Sequence, residues 1–210
     1  MSRIITIERE FGSGGRELGK RLAEKLGIAY YDEEIIKAIA EKSGLAESYV
    51  NSIVERKMTT YYPISFGHTF PMHHHHHNPT HDNYSKIYEA THDIMREMAV
   101  RSDCVIVGRC SDYILNDLRP LKLFVYADLH SKMERCRKKA PEGEELTDKE
   151  LIKQIKRVNA ERKRYYEGYT YLKWGSKRNY NVCINTTGLE IKRIVPALMC
   201  FVDSWFENME

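Results

Sequence analysis

Residues 4–27 constrain the fold more than any other part of the chain. The apolar run Ile4–Ile7 is typical of a strand buried on both faces of a parallel sheet. A glycine-rich turn over Phe11–Gly15 follows, and leucines spaced by four residues over Leu18–Leu26 predict an amphipathic helix that ends at Gly27. A strand, a glycine-rich turn and a helix in this order point backbone N–H groups and a positive helix end towards a phosphate. The stretch therefore predicts an α/β protein with an anion site at its first strand-to-helix junction.

The turn departs from the usual phosphate-loop pattern G-x-x-x-x-G-K-S/T. Aligned on the helix, the corresponding residues are Arg9–Arg16, and of the pattern only the last glycine is kept, as Gly14. Gly15 stands at the lysine position, Arg16 at the hydroxyl position and Arg9 at the first glycine. A cradle of N–H groups survives these exchanges. The cation on the outer phosphates and the hydroxyl that helps to hold Mg²⁺ are lost.

Other side chains could replace the lost groups. Arg9, Arg16 or Lys20 could supply the cation, and Ser13 could supply the hydroxyl. The candidates for phosphate binding are therefore Arg9, Gly12, Ser13, Gly14, Gly15 and Arg16. The alternative is a structural turn in an α/β protein, and the turn alone does not decide between the two.

Composition bounds the class of protein. The chain has 210 residues, 42% hydrophobic and 30% charged, which suits the core of one α/β domain. A net charge of +3 is too small to indicate nucleic-acid binding. No apolar run approaches a membrane span, and Met1–Arg3 leads into the first strand without a signal peptide, so we expect a cytoplasmic protein with no membrane partner. The five cysteines show no C-x-x-C spacing, which indicates reduced thiols and argues against a zinc site.

Short buried strands alternate with helices along the rest of the chain. Strands are predicted over residues 29–32, 103–107, 121–127 and 182–185. Together with the first strand they predict a roughly five-stranded parallel sheet covered by helices on both faces. Ligands of such sheets bind at the carboxyl ends of the strands, where the sequence places the glycine-rich turn, Asp32 and Gly108-Arg109.

Residues 58–83 show no periodicity and are rich in Tyr, Pro and His, so we expect a long mobile loop. The segment includes five consecutive histidines, His73–His77. Adjacent residues of a regular element cannot all face one ion, and histidine runs bind metals loosely. The pattern therefore argues against a dedicated metal role.

A long basic helix is predicted over 147–167, with Thr147 and Glu150 forming a capping box at its start. Its basic side chains, Arg157 and Arg162 among them, outnumber its acidic ones, which fits either a phosphate-binding surface or a solvated helix face. Tyrosines follow the basic run without interleaving with it, and no nucleic-acid-binding motif appears. The sequence thus argues against nucleic acid as a partner.

Four segments together resemble the cytidylate kinase-like family of P-loop proteins: REFGSGG, LAEKLGIAYYD, VIVGRCSDYIL and YNVCINTTGLEIKRIV. They span most of the chain, although residues 58–83 are not covered. The resemblance implies a P-loop NTPase-like three-layer α/β sandwich with a five-stranded parallel core, a helical insertion and a basic lid. In a single domain, the insertion that binds the nucleoside monophosphate would cover about 33–102 and the lid about 140–178.

The resemblance also implies roles for individual residues. Gly12–Gly15 would wrap the phosphates of ATP or another nucleoside triphosphate bound with Mg²⁺. Asp32 matches an aspartate near the metal and the acceptor. Arg109 would contact the acceptor phosphate, and Arg157 and Arg162 would come from the lid.

The sequence departs from the family pattern at several of these positions. A Gly-Arg-Asp triplet becomes Gly108-Arg109-Cys110, so the aspartate is lost unless Asp112 replaces it. Asn159 stands where an acidic residue is usual, and Glu33-Glu34 replaces the small residues that border the CMP site. No residue supports specificity for cytosine.

Two functions remain open. In the first, a phosphotransferase holds the triphosphate on Gly12–Arg16 and anchors a nucleoside monophosphate or other small acceptor with Arg109. Arg157 and Arg162 then neutralise the transition state, and Asp32 orients the metal or the attacking oxygen. The second function is nucleotide or phosphate binding without turnover, which the missing lysine and hydroxyl suggest. Asp32 as a helix N-cap and Arg109 as a surface ion-pair residue are the structural alternatives. A homodimer is compatible with either function.

Overall fold

The computed structural model describes residues 2–32, 34–51, 79–140 and 146–209. Within these ranges the chain forms a parallel sheet of five strands in the order β2-β3-β1-β4-β5. The strands are β1 Ile4–Arg9, β2 Ala29–Tyr31, β3 Cys104–Val107, β4 Leu121–Tyr126 and β5 Val182–Asn185. The predicted five-stranded parallel α/β architecture is confirmed.

Helices cover both faces of this sheet. They are α1 Gly15–Leu26, α2 Glu34–Ser43, α3 Glu47–Asn51, α4 Pro79–Arg101, α5 Ser111–Ile114, α6 Leu129–Lys139, α7 Asp148–Thr170 and α8 Ile191–Glu207. Short 3₁₀ turns span Asn116–Leu118 and Lys177–Asn179. No helix in the described ranges is both long and apolar enough to cross a bilayer.

The central strand β1 has all six residues buried, because a different core packs on each of its faces. Ile5 and Ile7 join a core that includes Leu18 of α1 and Leu198 of α8. Ile4 on the opposite face joins a core formed with α2 and α4. Side chains alternate along a strand, so Glu8 and Arg9 at its carboxyl end point to opposite faces.

Helix boundaries mostly follow the signals in the sequence. The Asp128 carboxylate accepts a hydrogen bond from the Ser131 N–H at 2.8 Å and caps α6, and the predicted capping box of Thr147 and Glu150 begins α7. Helix α4 begins at Pro79, so the last five residues of the predicted 58–83 loop are helical. The rest of that segment, including the histidine run, lies outside the described residues.

Candidate functional site

The turn between β1 and α1 leaves backbone donors without acceptors. The N–H and the hydroxyl of Ser13 both donate to the Glu10 carbonyl, at 3.3 and 2.8 Å, and close a tight turn. Gly12 and Gly14 have φ of +76° and +85°, a region that favours glycine. Among the described residues, no group accepts a hydrogen bond from the N–H of Gly12, Gly14 or Gly15. Backbone donors are rarely left unpaired, so these three are suited to an anion.

Arg135 of α6 fixes the turn from another side. Its guanidinium donates to the carbonyls of Gly12 at 3.5 Å and Ser13 at 3.4 Å, and to the Thr186 carbonyl at 2.5 Å. The Thr186 hydroxyl also donates to the Ser13 carbonyl, at 2.7 Å. The turn is therefore tied to the segment between β5 and α8 through its carbonyl oxygens, which leaves its N–H groups for a ligand.

Arg9 occupies a slot between two glycines. A Cβ on Gly15 would lie 2.6 Å from the Arg9 Cβ, and a Cβ on Gly108 would overlap the Arg9 guanidinium. Arg9 is only 6% exposed, so its charge reaches the junction through the interior. Position 15 must stay free of a side chain for Arg9 to fit. Relative to the usual phosphate-loop pattern, the small residue and the cation have exchanged places.

Asp32 at the end of β2 receives two arginines. Arg16 Nε lies 2.5 Å from Asp32 Oδ2, and Arg9 Nη2 lies 3.8 Å from Asp32 Oδ1. The Tyr30 hydroxyl donates to Oδ2 at 3.3 Å. Burial lowers the pKa of Arg9, and the negative charges of Glu8 and Asp32 oppose that effect. Asp32 is thus placed to hold the two arginine side chains in position.

The junction between β3 and α5 has an unusual backbone. Gly108, Arg109 and Cys110 follow one another with φ of +79°, +61° and +57°. For a residue with a Cβ the left-handed region costs roughly 1–2 kcal/mol. Strain of this kind concentrates at functional sites. Arg109 is 5% exposed at this junction.

Two buried carboxylates accompany Arg109. Glu8 and Asp112 are 4% and 2% exposed. Asp112 Oδ2 accepts a hydrogen bond from the Tyr166 hydroxyl at 2.7 Å, and Glu8 Oε2 accepts one from Trp174 Nε1 at 3.4 Å. Burial, followed by the charge of Glu8, raises the pKa of Asp112 to about 7. This side of the site therefore holds acidic groups in a poorly solvated environment.

Helix α7 covers the β1–α1 turn. Asn159 Oδ1 accepts a hydrogen bond from the Phe11 N–H at 2.7 Å, and Arg162 Nη1 donates to the Arg9 carbonyl at 3.1 Å. The Arg162 guanidinium lies 5.8 Å from the centre of the Phe11 ring, within the range of a cation–π contact. The basic helix is thus seated on the glycine-rich turn.

These elements surround a cleft of about 880 Å³, within the range of about 300–1,000 Å³ that is usual for ligand sites. In the described part of the chain, the cationic side chains that line it are Arg9, Arg16, Arg109, Arg135, Arg137, Lys139, Arg157 and Arg162. The acidic ones are Glu8, Glu10, Glu17 and Glu161. An excess of arginines over carboxylates favours a polyanionic ligand such as a phosphate chain.

Most of the residues proposed from the sequence lie at this cleft. All five proposed arginines and the glycines at positions 12, 14 and 15 line it. Ser13 is fully buried with its hydroxyl turned to the Glu10 carbonyl, and Asp32 lies behind Arg16. Lys20 is exposed on α1 and is not part of the lining.

Arg135 and Glu8 also line the cleft, although neither was proposed as a site residue from the sequence. Arg135 belongs to a basic run that follows the capped start of α6, and Glu8 is an acidic residue in a buried strand that begins with apolar residues. Both signals were visible, but neither shows which groups the side chain contacts.

Within the described ranges, no cluster of three or more His, Cys, Asp or Glu residues could hold a metal.

The strand order, the glycine-rich turn and the basic cleft define a P-loop kinase-like α/β protein. The crystal structure of an uncharacterized protein from Eubacterium ventriosum is similar over 97% of this chain and 99% of that chain, with 25% identity and a TM-score of 0.70. A shikimate kinase from Bacteroides thetaiotaomicron matches at 16% identity over 96% of this chain and 98% of its own, with a TM-score of 0.54. One from Acinetobacter baumannii, solved with shikimate, matches at 13% over 97% and 94%, with a TM-score of 0.51. At these identities the shikimate kinases show the fold alone.

The family follows from the sequence comparison. The model of the cytidylate kinase-like family matches residues 4–188, and the chain belongs to this family. A comparison with curated proteins gives no match. The resemblance found in the four sequence segments is confirmed, and family and fold together support a kinase.

Proposed function

We propose that the protein is a phosphotransferase that moves the γ-phosphoryl group of a nucleoside triphosphate, such as ATP, to a nucleoside monophosphate or another small acceptor. One observation carries the proposal: three glycine N–H groups, for which the described residues provide no acceptor, lie at the junction that the buried Arg9 side chain reaches. Phosphoryl transfer requires alignment and positive charge more than covalent chemistry. This junction offers both.

On the donor side, the N–H groups of Gly12, Gly14 and Gly15 would hold the phosphate chain. Arg9 would supply the cation that a phosphate-loop lysine usually supplies. The glycine at the lysine position, Gly15, leaves the space that the Arg9 side chain occupies. Arg16, with a side chain 52% exposed, would add a weaker and more hydrated charge. Ser13 would act indirectly, by closing the turn onto Glu10.

On the acceptor side, Arg109 would bind the anionic group of the acceptor. The lid of about 140–178 would bring Arg157 and Arg162 over the phosphates, and the contacts of α7 with Phe11 and Arg9 agree with this. Asp32 would serve by orienting Arg9 and Arg16. Arginines suit these roles, since a planar guanidinium binds phosphate in a fork and stays charged.

Mg²⁺ would enter with the triphosphate, because it retains waters and binds phosphates together with one or two carboxylates. The hydroxyl and the carboxylate at the turn that could bind Mg²⁺ both make other contacts. The Ser13 hydroxyl donates to the Glu10 carbonyl, and Asp32 is engaged by Arg9 and Arg16. We therefore derive no step through the metal and assign the neutralising charge to the arginines.

The position of the Ser13 hydroxyl also favours a second candidate, a nucleotide- or phosphate-binding protein without turnover. Loss of groups that act on the transition state can lower a rate by powers of ten while ground-state binding partly survives. In this case the same cleft would bind phosphates and release them unchanged.

Calorimetry with ATP, GTP and CMP in the presence of Mg²⁺, followed by a transfer assay over monophosphates and small alcohols, separates the candidates. We expect triphosphate binding and transfer. Arg109→Ala should raise KM for the acceptor and leave triphosphate affinity unchanged, whereas Arg101→Ala, an exposed control on α4, should change neither. Binding without transfer to any acceptor would favour the second candidate. Absence of triphosphate binding would contradict both.

A further inference from the structure

Glu8 is a buried carboxylate in the wall of the cleft, where it interacts electrostatically with the buried Arg9 side chain. It is 4% exposed, and it accepts a hydrogen bond from Trp174 Nε1 at a long 3.4 Å. Among the described residues, no ion pair includes Glu8. The neighbouring Glu10, in contrast, forms an ion pair with Lys132 at 2.5 Å. Glu8 in β1 and Glu10 just after it therefore differ, since only Glu10 forms an ion pair among the described residues.

A second buried carboxylate, Asp112, repels the charge of Glu8. Removing a carboxylate from water costs several kcal/mol unless it is paired. Asp112, which interacts electrostatically with Glu8, is 2% exposed, and its Oδ1 has no hydrogen-bond partner among the described residues. A chain can replace such a glutamate with an apolar residue when the charge serves only the fold. A buried carboxylate that lines a cleft and forms no ion pair among the described residues is a candidate for contact with a ligand.

The sheet places Glu8 close to the proposed acceptor anchor. β1 and β3 are adjacent and parallel, and the Gly108 N–H donates to the Ile7 carbonyl at 2.9 Å. Glu8 follows Ile7 and Arg109 follows Gly108, so the two side chains leave neighbouring strand ends and both line the cleft. A ligand at this edge would meet one guanidinium and one carboxylate. The matching chemistry is an anionic group beside a hydrogen-bond donor.

This combination discriminates between two kinds of acceptor. A phosphate monoester has its second pKa near 6, so at neutral pH it attacks as a dianion with no proton to lose, and a carboxylate repels it. The hydroxyl of an alcohol must lose its proton as the new O–P bond forms, and a nearby carboxylate can accept it. An unpaired buried glutamate is unfavourable for the first kind of acceptor and useful for the second.

We propose that the acceptor is an alcohol that carries a separate anionic group, with Arg109 binding the anionic group and Glu8 taking the hydroxyl proton. This rests on the phosphotransferase function proposed above. The alcohol oxygen forms a bond to the γ-phosphorus as the bond from that phosphorus to the β,γ-bridging oxygen breaks. The proton passes to the Glu8 carboxylate. The products are a phosphate ester and a nucleoside diphosphate.

The test compares wild type, Glu8→Gln and the control Glu24→Gln, an exposed position on α1. ATP with Mg²⁺ is the donor. The acceptors are hydroxylated carboxylic acids, phosphorylated polyols, and the monophosphates CMP, UMP, AMP and GMP, with ³¹P NMR identifying the bond formed. We expect a phosphate ester from a hydroxylated anion, and a rate about 100-fold lower in Glu8→Gln, the lower range for losing a general base. ATP affinity and melting temperature should be retained, because the substitution removes a buried charge without changing the shape of the side chain.

Glu8→Asp adds a second measurement, because it keeps the carboxylate and should recover part of the rate that Glu8→Gln loses. A purely structural Glu8 would instead lower the melting temperature in both variants and leave the rate per folded molecule unchanged. Formation of a phosphoanhydride, or transfer to no hydroxylated anion by a protein that binds ATP, would overturn this inference while leaving nucleotide binding intact. Failure to bind any triphosphate would overturn the proposed function itself.

Discussion

The backbone adopts the left-handed conformation at both strand-to-helix junctions of the cleft, but different residue types adopt it at each. After β1, the left-handed backbone conformation falls on Gly12 and Gly14, where no Cβ opposes it. After β3, it begins at Gly108 and continues through Arg109 and Cys110, where it is unfavourable. The first junction presents backbone N–H groups, and the second presents side chains at the expense of backbone strain. The difference suggests that the first binds a generic phosphate chain and that the second confers selectivity.

Arg9 connects the two junctions. It leaves the end of β1, passes the bare backbone of Gly15 and brings its guanidinium against Gly108. Both glycines are therefore required by one side chain. A substitution at either junction should therefore affect the other.

The largest effect should come from restoring the usual phosphate-loop residues one at a time. Arg9→Gly removes the buried cation, and Gly15→Lys forces a Cβ to within 2.6 Å of the Arg9 Cβ. We expect each single variant to lose about 100-fold in transfer rate, comparable with the loss of one transition-state donor. The double variant Arg9→Gly/Gly15→Lys should recover much of it, because the clash disappears and a lysine returns. Single-turnover transfer rates and ATP affinities of the four proteins form the complete cycle.

Lys20→Ala is the matched control for this cycle, since Lys20 is exposed on the same helix and does not line the cleft. Its rate and affinity should equal those of the wild type. If the transfer rate of the double variant falls by the product of the two single-variant losses, positions 9 and 15 act independently. The exchange of cation and glycine would then be incidental.

An intermediate effect should appear as a pH dependence confined to the second junction. Burial and Glu8 raise the pKa of Asp112 to about 7 from an ordinary 3.8, against the opposing effects of Tyr166 and Lys122. The folded state then holds a proton that the unfolded state releases, so the stabilisation is complete below pH 4 and is lost as pH rises through 7. Relative to Asp112→Asn, the unfolding free energy of the wild type should fall by about 3 kcal/mol between pH 4 and 7. Urea denaturation across this range measures it, and parallel curves for the two proteins would contradict it.

The sequence predicted the first junction better than the second, for a physical reason. The strand, the glycines and the helix that build the β1–α1 turn are contiguous, so local patterns suffice to predict them. The Arg9 slot could not be predicted, because Gly108 enters it only through the pairing of β1 with β3. The same holds for the inward turn of the Ser13 hydroxyl and for the contacts of Arg135, which depend on how the β5–α8 segment packs. Arg109 could be proposed because it directly follows a buried strand, but its strained backbone could not.

The smallest effect should distinguish the contribution of the Arg109 backbone to stability from the contribution of its side chain to acceptor binding. Arg109→Ala and Arg109→Gly both remove the guanidinium, so both should raise KM for the acceptor to the same extent. They differ in the backbone, since φ of +61° is unfavourable for alanine and acceptable for glycine. Arg109→Gly should therefore be more stable than Arg109→Ala by about 1 kcal/mol, the lower end of the left-handed penalty. Chemical denaturation of the two variants gives this difference directly. Equal stabilities would mean that the backbone of the β3–α5 junction relaxes once the guanidinium is gone. The strain would then originate in the contacts of the arginine side chain, and the two junctions would differ only in their side chains.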